Sequence, residues 1–410
     1  MGFRPETILY LTIENNQILG ETEGIIRDTL EVYEKHVLEA SFREAEEPIF
    51  VFVDEIQKAD GWAETLKYYT DTYSNILFIV TGSVSTLIRS DASETLVGRL
   101  EERIVMPFKF VDLVDYFDVL DQDAILEEST DLRSALDEAV KSDAMGEFTE
   151  QLAGFYGRHT NAIPELTSRE DEYLLKGGYP GVLDRSYVDA YSQLDTNLRY
   201  TVTGDLANVF DIQKEEKVLK VLSLVADATT GKINVQNIAD TANINRDTVE
   251  RYLDSLEEFF LISRCPRHST SEYRRGGHDK IYVQDVGLYN TLQGTLKEST
   301  LTDGGKMGPI LETAVADHAR RLQFHLSDYQ NAEVGYWDRT GEVDFVLSGS
   351  DYTLPIEVKH GDSTAKNLRG LRRFIDESDA PFGLAINKAG ELQEDDDIIH
   401  VPSWLFFFLS

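Results

Sequence analysis

Apolar positions along this chain fall into two rhythms. Near the N-terminus they form short, unbroken runs: Ile8-Leu9-Tyr10-Leu11-Thr12-Ile13, Ile49-Phe50-Val51-Phe52-Val53 and Ile76-Leu77-Phe78-Ile79-Val80. Runs of this length, rich in β-branched and aromatic residues and lacking polar alternation, predict strands buried on both faces, as in a parallel sheet covered by helices. A helix is expected from about Ala63 to Thr72. From about Val111 to Arg199 the spacing changes to three and four (Leu113, Phe117, Leu120; Leu132, Leu136, Val140), which predicts an acidic helical stretch. Three compact helices follow at Glu215–Asp227, Val235–Ala242 and Arg246–Glu258, with Asn243-Ile244-Asn245 as a turn and a strand at Phe259 to Ile262. The remainder predicts a strand leading into a helix at Lys280 to Leu288 and a helix from Pro309 to Phe324. Two strands, Glu342 to Leu347 and Tyr352 to Val358, should be joined by the turn Ser348-Gly349-Ser350-Asp351. A helix from Thr364 to Asp376 and a last buried strand at Leu405 to Leu409 complete the pattern.

Two of the N-terminal runs end in groups that carry chemistry. The second runs into Asp54-Glu55 and the third into Thr81-Gly82-Ser83, and ligands of parallel sheets sit at the carboxyl ends of the strands. Between them lies Gln57-Lys58-Ala59-Asp60-Gly61-Trp62, and Leu96-Val97-Gly98-Arg99 precedes an expected short strand, Ile104 to Phe108. This succession resembles the archaeal-type AAA+ ATPases that carry a C-terminal domain of unknown function. The resemblance implies that Asp54 holds Mg²⁺ through water and that Glu55 polarises the attacking water, the two forming the cofactor-binding pair. It also implies that Ser83 is a sensor of the γ-phosphate and that Arg99 belongs to the catalytic group. The residues alone also allow a buried strand ending in two solvated acids.

In the family a further strand, a loop of pattern G-x-x-x-x-G-K-[ST] and a helix stand upstream of the Ile8 run. That pattern occurs nowhere in the 410 residues: Gly231-Lys232 is followed by Ile233, and the residue five before its glycine is Ala226. Backbone N–H groups and the lysine of such a loop supply most of the affinity for nucleotide phosphates. ATP is therefore expected as a cofactor, with Mg²⁺, only if the missing segment is supplied. The expected explanations are a gene start lying further upstream, a disrupted gene, or a missing half supplied by a partner chain or a second copy in a homo-oligomer. The family's strand order, 5-1-4-3-2, would leave a slot between the Ile76 and Ile104 runs.

The three compact helices resemble a helix-turn-helix in a winged-helix domain, with Tyr273-Arg274-Arg275-Gly276-Gly277-His278 as the wing tip and Arg274 and Arg275 as candidate DNA contacts. The helix that would enter the groove carries Asp247, Glu250, Asp254, Glu257 and Glu258 against Arg246 and Arg251. Phosphate neutralisation needs net positive charge, so packing or protein contact stands ahead of DNA reading there. Leu174-Leu175-Lys176-Gly177-Gly178-Tyr179-Pro180-Gly181 and the stretch Lys280 to Leu288 resemble parts of the family's C-terminal extension; the glycines by themselves make a turn between helices.

The last hundred residues hold a second constellation. Glu357 and Lys359 share one face of a strand, Asp344 lies on the strand before it, and Glu312 lies early in the preceding helix. A hairpin of this length can set Asp344 beside Glu357. Two carboxylates and a lysine at one spot are what metal-assisted phosphodiester hydrolysis requires, the acids holding Mg²⁺ and the lysine polarising water. The pattern resembles the PD-(D/E)XK nuclease fold, with Asp344 and Glu357 as metal ligands and Glu312 as the helical acid; a salt-bridged, inactive site on an inherited fold is the alternative. Lys366, Arg369, Arg372 and Arg373 make the most basic helix face in the chain, a candidate phosphate contact or a solvated face.

Composition narrows the setting. With 41 % hydrophobic and 10 % aromatic residues the chain can build real cores. Its formal charge is −35 at pI ≈ 4.5, spread along the sequence, as in salt-adapted cytoplasmic proteins of halophilic archaea. A lone cysteine, Cys265, excludes an internal disulfide, and no apolar run approaches the ~18 residues of a membrane span. The expected architecture is α/β and multidomain: a truncated AAA+ parallel sheet (1–118), a helical lid (119–205), a winged-helix-like domain (206–279) and a nuclease-like α/β domain (280–410). The function expected is an ATPase module coupled to a nucleic-acid-associated region, or else a non-catalytic regulatory protein retaining these folds. Stability should rise steeply from low salt to molar KCl, where the Debye length shortens to roughly 3 Å; a melting temperature that stays flat across that range would refute salt adaptation.

Overall fold

The computed structural model describes residues 3–13, 24–45, 47–82, 95–96, 98–101, 103–142, 144–210, 212–268, 278–326, 332–361, 367–378, 380–388 and 390–410. They form two compact units, Met1–Val105 and Met106–Ser410.

In the first unit β1 (Ile8–Thr12), β2 (Ile49–Asp54) and β3 (Ile76–Val80) make a parallel sheet in that order, with Ile8 opposite Phe50 and Phe50 opposite Leu77. Helices α1 (Ile25–Tyr33) and α2 (Trp62–Thr72) bridge the strands. Ile49, Val51 and Val53 pack with Ile26, Leu30, Phe42, Trp62 and Leu66 into one core. The alternate positions do not: Ile8, Tyr10, Leu77 and Ile79 are exposed, Tyr10 by 67 %. The expectation of burial on both faces is thus corrected. Both crossovers step the same way across the sheet, and right-handed connections then set both helices on the same side. The expected strand at Ile104 to Phe108 is also absent; Val105 is 94 % exposed, and β3 is an edge with no strand paired to its outer side among the described residues.

The second unit opens with helices α3 (Phe110–Tyr116), α4 (Gln122–Ser142), α5 (Met145–Arg158), α6 (Ile163–Lys176) and α7 (Tyr187–Tyr200). The helices α8 (Glu215–Asp227), α9 (Val235–Ala242) and α10 (Arg246–Glu258) have the bounds that periodicity predicts. Asn243 takes a left-handed conformation (φ 52°), and the Asn245 side chain caps α10 by accepting from the Thr248 N–H at 2.7 Å. The following strand starts later than expected, as β4 (Ile262–Cys265), because Phe260 turns the chain with φ 53°. It pairs antiparallel with β5 (Lys280–Val283), which leads into α11 (Val286–Gln293). Arg274 and Arg275 lie outside the described residues.

The final layer begins with α12 (Gly304–Leu326), one turn longer at its start than predicted. Asp303 fixes that start, its carbonyl accepting from Lys306 and Met307 N–H and its carboxylate from Gly305 N–H. A six-stranded mixed sheet follows: β6 (Glu333–Asp338), β7 (Glu342–Ser348), β8 (Thr353–Lys359), β9 (Gly383–Asn387), β10 (Gln393–Asp395) and β11 (Ile398–Pro402), ordered β10-β11-β9-β8-β7-β6. Between β8 and β9 runs α13 (Arg369–Glu377), preceded by a turn at Asn367 and Leu368 and therefore shorter than the predicted helix. Leu405 to Leu409 is helical rather than extended, and every residue of it is buried. A short apolar run does not distinguish a buried strand from a buried helical turn. Phe407 packs at a tilt against His318 (4.2 Å between centroids), which hydrogen-bonds Tyr173 at 2.9 Å and Ser410 Oγ at 2.6 Å.

One glycine joins these layers. Gly178, in the turn after α6, donates its N–H to Asp285 (2.8 Å), which also caps α11 through Leu288 N–H at 3.0 Å. Its carbonyl accepts from Phe108 N–H at 2.8 Å, and a Cβ there would meet the Phe108 carbonyl at 1.8 Å. Gly178→Ala should lower stability by about 1–3 kcal/mol, read from the denaturant midpoint, whereas Gly181→Ala, with nothing within 4 Å of its Cβ position, should be nearly silent.

Candidate functional site

Two acidic sites stand at strand ends, one in each unit. In the first, Thr12, Asp54 and Thr81 lie side by side: Thr12 is opposite Asp54, and Thr81 N–H donates to the Val53 carbonyl at 2.9 Å. The Thr81 hydroxyl hydrogen-bonds the Asp54 carboxylate, and Tyr10 O–H donates to its other oxygen at 3.3 Å. Among the described residues no cationic side chain pairs with Asp54. Glu55 sits in a left-handed turn (φ 58°), with Lys58 Nζ at 3.2 Å and Gln57 donating at 2.8 Å. Arg99 does not join them; it grips Asp71 at the end of α2 at 2.7 and 3.3 Å. Ser83 lies outside the described residues, and Thr81 holds the hydroxyl that meets Asp54. The signal for Thr81 was its place directly after a buried strand.

The second site forms where β5, α12, β7 and β8 meet. The ladder between β7 and β8 stops at Phe345 opposite Ile356. Beyond it side chains take over the pairing: Asp344 N–H donates to the Glu357 carboxylate at 3.3 Å, and Val358 N–H donates to the Asp344 carboxylate at 2.9 Å. Lys359 pairs with Glu357, and Tyr282 O–H donates to Glu312 at 2.7 Å. Glu312, Asp344, Glu357 and Lys359 are thus neighbours in space. The unpredicted member is Lys280 on β5. Only 2 % exposed, its Nζ lies 3.1 Å from Glu342, 3.6 Å from Asp344 and 3.7 Å from Glu312. Lys280 and Tyr282 are two apart in the Lys280-Ile281-Tyr282-Val283 strand, so alternation puts both on one face; that spacing was the available signal.

The electrostatics follow from burial. Burial and the Asp344 carboxylate raise Glu312 and Glu357 to about 8, against the pull of Lys280 on the first and Lys359 on the second. Burial by itself would discharge Lys280, but Asp344, Glu312 and Glu342 outweigh it and raise its pKa above the ordinary lysine value. Among the described residues no group of three or more His, Cys, Asp or Glu is placed to hold a metal ion. The expected Mg²⁺ ligands Asp344 and Glu357 have backbone N–H groups and lysines as partners. The set fits an ion-paired cluster, not the oxygen cage that Mg²⁺ requires.

The basic helix is less basic than its sequence. Arg372 is matched by Asp395 (2.5 Å), Asp397 (3.3 Å) and Asp396 (3.5 Å), and Arg373 by the Thr340 carbonyl (2.8 Å) and Glu377 (3.6 Å). Arg369 is exposed on the first turn of α13, and Lys366 lies outside the described residues. No helix among the described residues is long and apolar enough to cross a membrane.

Residues 2–114 match the family described as AAA domain, residues 168–299 a domain of unknown function (DUF8612) and residues 307–406 a second (DUF4143). The chain is similar to an uncharacterized protein of Methanocaldococcus jannaschii, 23 % identical across all of this chain and 79 % of that protein. Another uncharacterized protein of the same archaeon is 25 % identical over 74 % of this chain and 59 % of its own length. One from Haemophilus influenzae is 22 % identical over 87 % of this chain and 75 % of its own length. No solved structure matches.

Glu312 supplies a pH test. Its carboxyl, ordinarily near 4.5, is raised to about 8 in the folded chain, so over that interval the folded state keeps a proton the unfolded state has lost. The contribution favours folding fully below 4.5 and is lost as pH rises through about 8. The stability of the wild type relative to Glu312→Gln, followed by urea denaturation, should therefore fall with rising pH across this range.

Proposed function

We propose that this chain is an ATPase-type protein whose N-terminal sheet supplies the metal side of a nucleotide site and whose C-terminal sheet is a nuclease-like fold associated with nucleic acid. The observation that carries the first half is the Asp54 carboxylate, held by two hydroxyls at the carboxyl ends of parallel strands and paired with no cation among the described residues. The match of residues 2–114 to the AAA domain supports it. Asp54 would hold the hydration shell of Mg²⁺, and Thr81 orients that carboxylate. Glu55, anchored by Lys58 and Gln57, would orient a water molecule. Bound Mg²⁺ would supply charge neutralisation on the phosphates. A phosphate cradle of the G-x-x-x-x-G-K-[ST] kind is missing from these 410 residues, so turnover requires one from a longer form or a partner chain. The second half is supported by the succession α12, β6, β7, β8, α13, β9, with the acids on the helix and on the adjacent strands β7 and β8.

The 410-residue chain alone should show no ATP turnover above that of its Asp54→Asn variant. Fusing a strand, loop and helix of the missing pattern ahead of Pro5 should restore turnover, and Glu55→Gln should then abolish it while leaving nucleotide binding intact. Turnover by the unextended chain that survives Asp54→Asn would overturn the reading.

A further inference from the structure

The C-terminal cluster has the acids of a metal site but arranges them around a different cation. Three carboxylates from two elements, Glu312 on α12 and Glu342 and Asp344 on β7, converge on one ammonium nitrogen at 3.1–3.7 Å. The remaining acid, Glu357, is taken by Lys359. We propose that Lys280 stands in the cation position of this cluster, so that the site is held together by an internal charge and takes up no divalent metal. The inference rests on the nuclease-like reading of the fold.

Three features hold the ammonium there. The Lys280 backbone is pinned on both sides, paired with Cys265 in the β4–β5 ladder and bridged to Lys232, so the side chain cannot leave by a shift of its strand alone. The Tyr336 ring lies 5.5 Å from Nζ, a face that favours a cation. Tyr282, two residues on, donates to the same Glu312 that faces the ammonium, fixing that carboxylate toward Lys280. A hard divalent ion needs several oxygens at about 2.0–2.6 Å. To gather Glu312 and Asp344 it would have to displace a buried charge of its own sign. Lys280 lies on β5, which pairs with β4 in a two-stranded sheet of its own, so the cation of the acidic site comes from outside the six-stranded sheet.

The test uses the full chain and Mn²⁺ as probe. The melting temperature of the wild type should not respond to millimolar Mn²⁺ or to EDTA. Lys280→Met should melt lower, and Mn²⁺ should raise it by roughly 3–4 °C, the size expected in a chain of this length of a ligand in ~100-fold excess over its dissociation constant. Asp344→Asn in the same background should remove the rise. A wild-type rise in Mn²⁺ that is lost on Asp344→Asn would overturn the proposal, as would a folded Lys280→Met chain indifferent to Mn²⁺. If Lys280→Met does not fold, Lys280→Met/Glu342→Gln, which removes the most exposed of the three acids, takes its place. Phosphodiester cleavage separates the two readings. Manganese binding by Lys280→Met without cleavage keeps the lysine in the metal's place and removes the nuclease-like reading, whereas metal-dependent cleavage by the wild type does the reverse.

Discussion

A buried charge needs a partner, and the second unit is built around one place where that requirement is met several times over. Lys280, Glu312, Asp344, Glu357 and Lys359 come from four elements that have little else in common in sequence. Each is too costly to bury alone. Satisfying them fixes β5 against α12 and fixes the open end of the β7–β8 hairpin, where side chains replace ladder hydrogen bonds. Removing one member of such a set typically costs about 3–5 kcal/mol, because the partner's charge is left behind. The cluster therefore constrains the layer whether or not it carries chemistry.

The two acidic sites differ in what meets the carboxylate. Asp54 meets hydroxyls, which orient it without cancelling its charge. Asp344 meets a backbone N–H and an ammonium, whose charge opposes its own. The same residue type near two strand ends thus points to different uses. The difference lies in Thr81 and Tyr10 on one side and Lys280 on the other.

Much of this was legible in the sequence where local signals are strong. The bounds of α8, α9 and α10 followed from periodicity and from the turn Asn243-Ile244-Asn245, and the three N-terminal strands from their unbroken apolar runs. What was not legible depends on contacts between distant segments. Lys280 could be placed on a strand face, but nothing local says which sheet that face meets. The bare side of the N-terminal sheet follows from the direction of two crossovers, not from the composition of the strands. Leu405 to Leu409 reads as a strand because it is apolar throughout, a property that buried helical turns share. The arginines of α13 look like a phosphate surface until Asp395 to Asp397, a turn away in the fold, are counted against Arg372.

The half-covered N-terminal sheet gives concentrated salt two ways to lower how much of this protein stays dissolved. At low ionic strength the surplus of negative charge keeps molecules apart. Concentrated salt mutes that repulsion, and salts of the strongly hydrated kind also strengthen attraction between bare apolar surfaces. Ile8, Tyr10, Leu77 and Ile79 present such a surface beside the edge of β3, unpaired among the described residues, a combination that adheres to its like. Solubility is thus limited from the high-salt side, where charge no longer keeps molecules apart and this single sheet face draws them together.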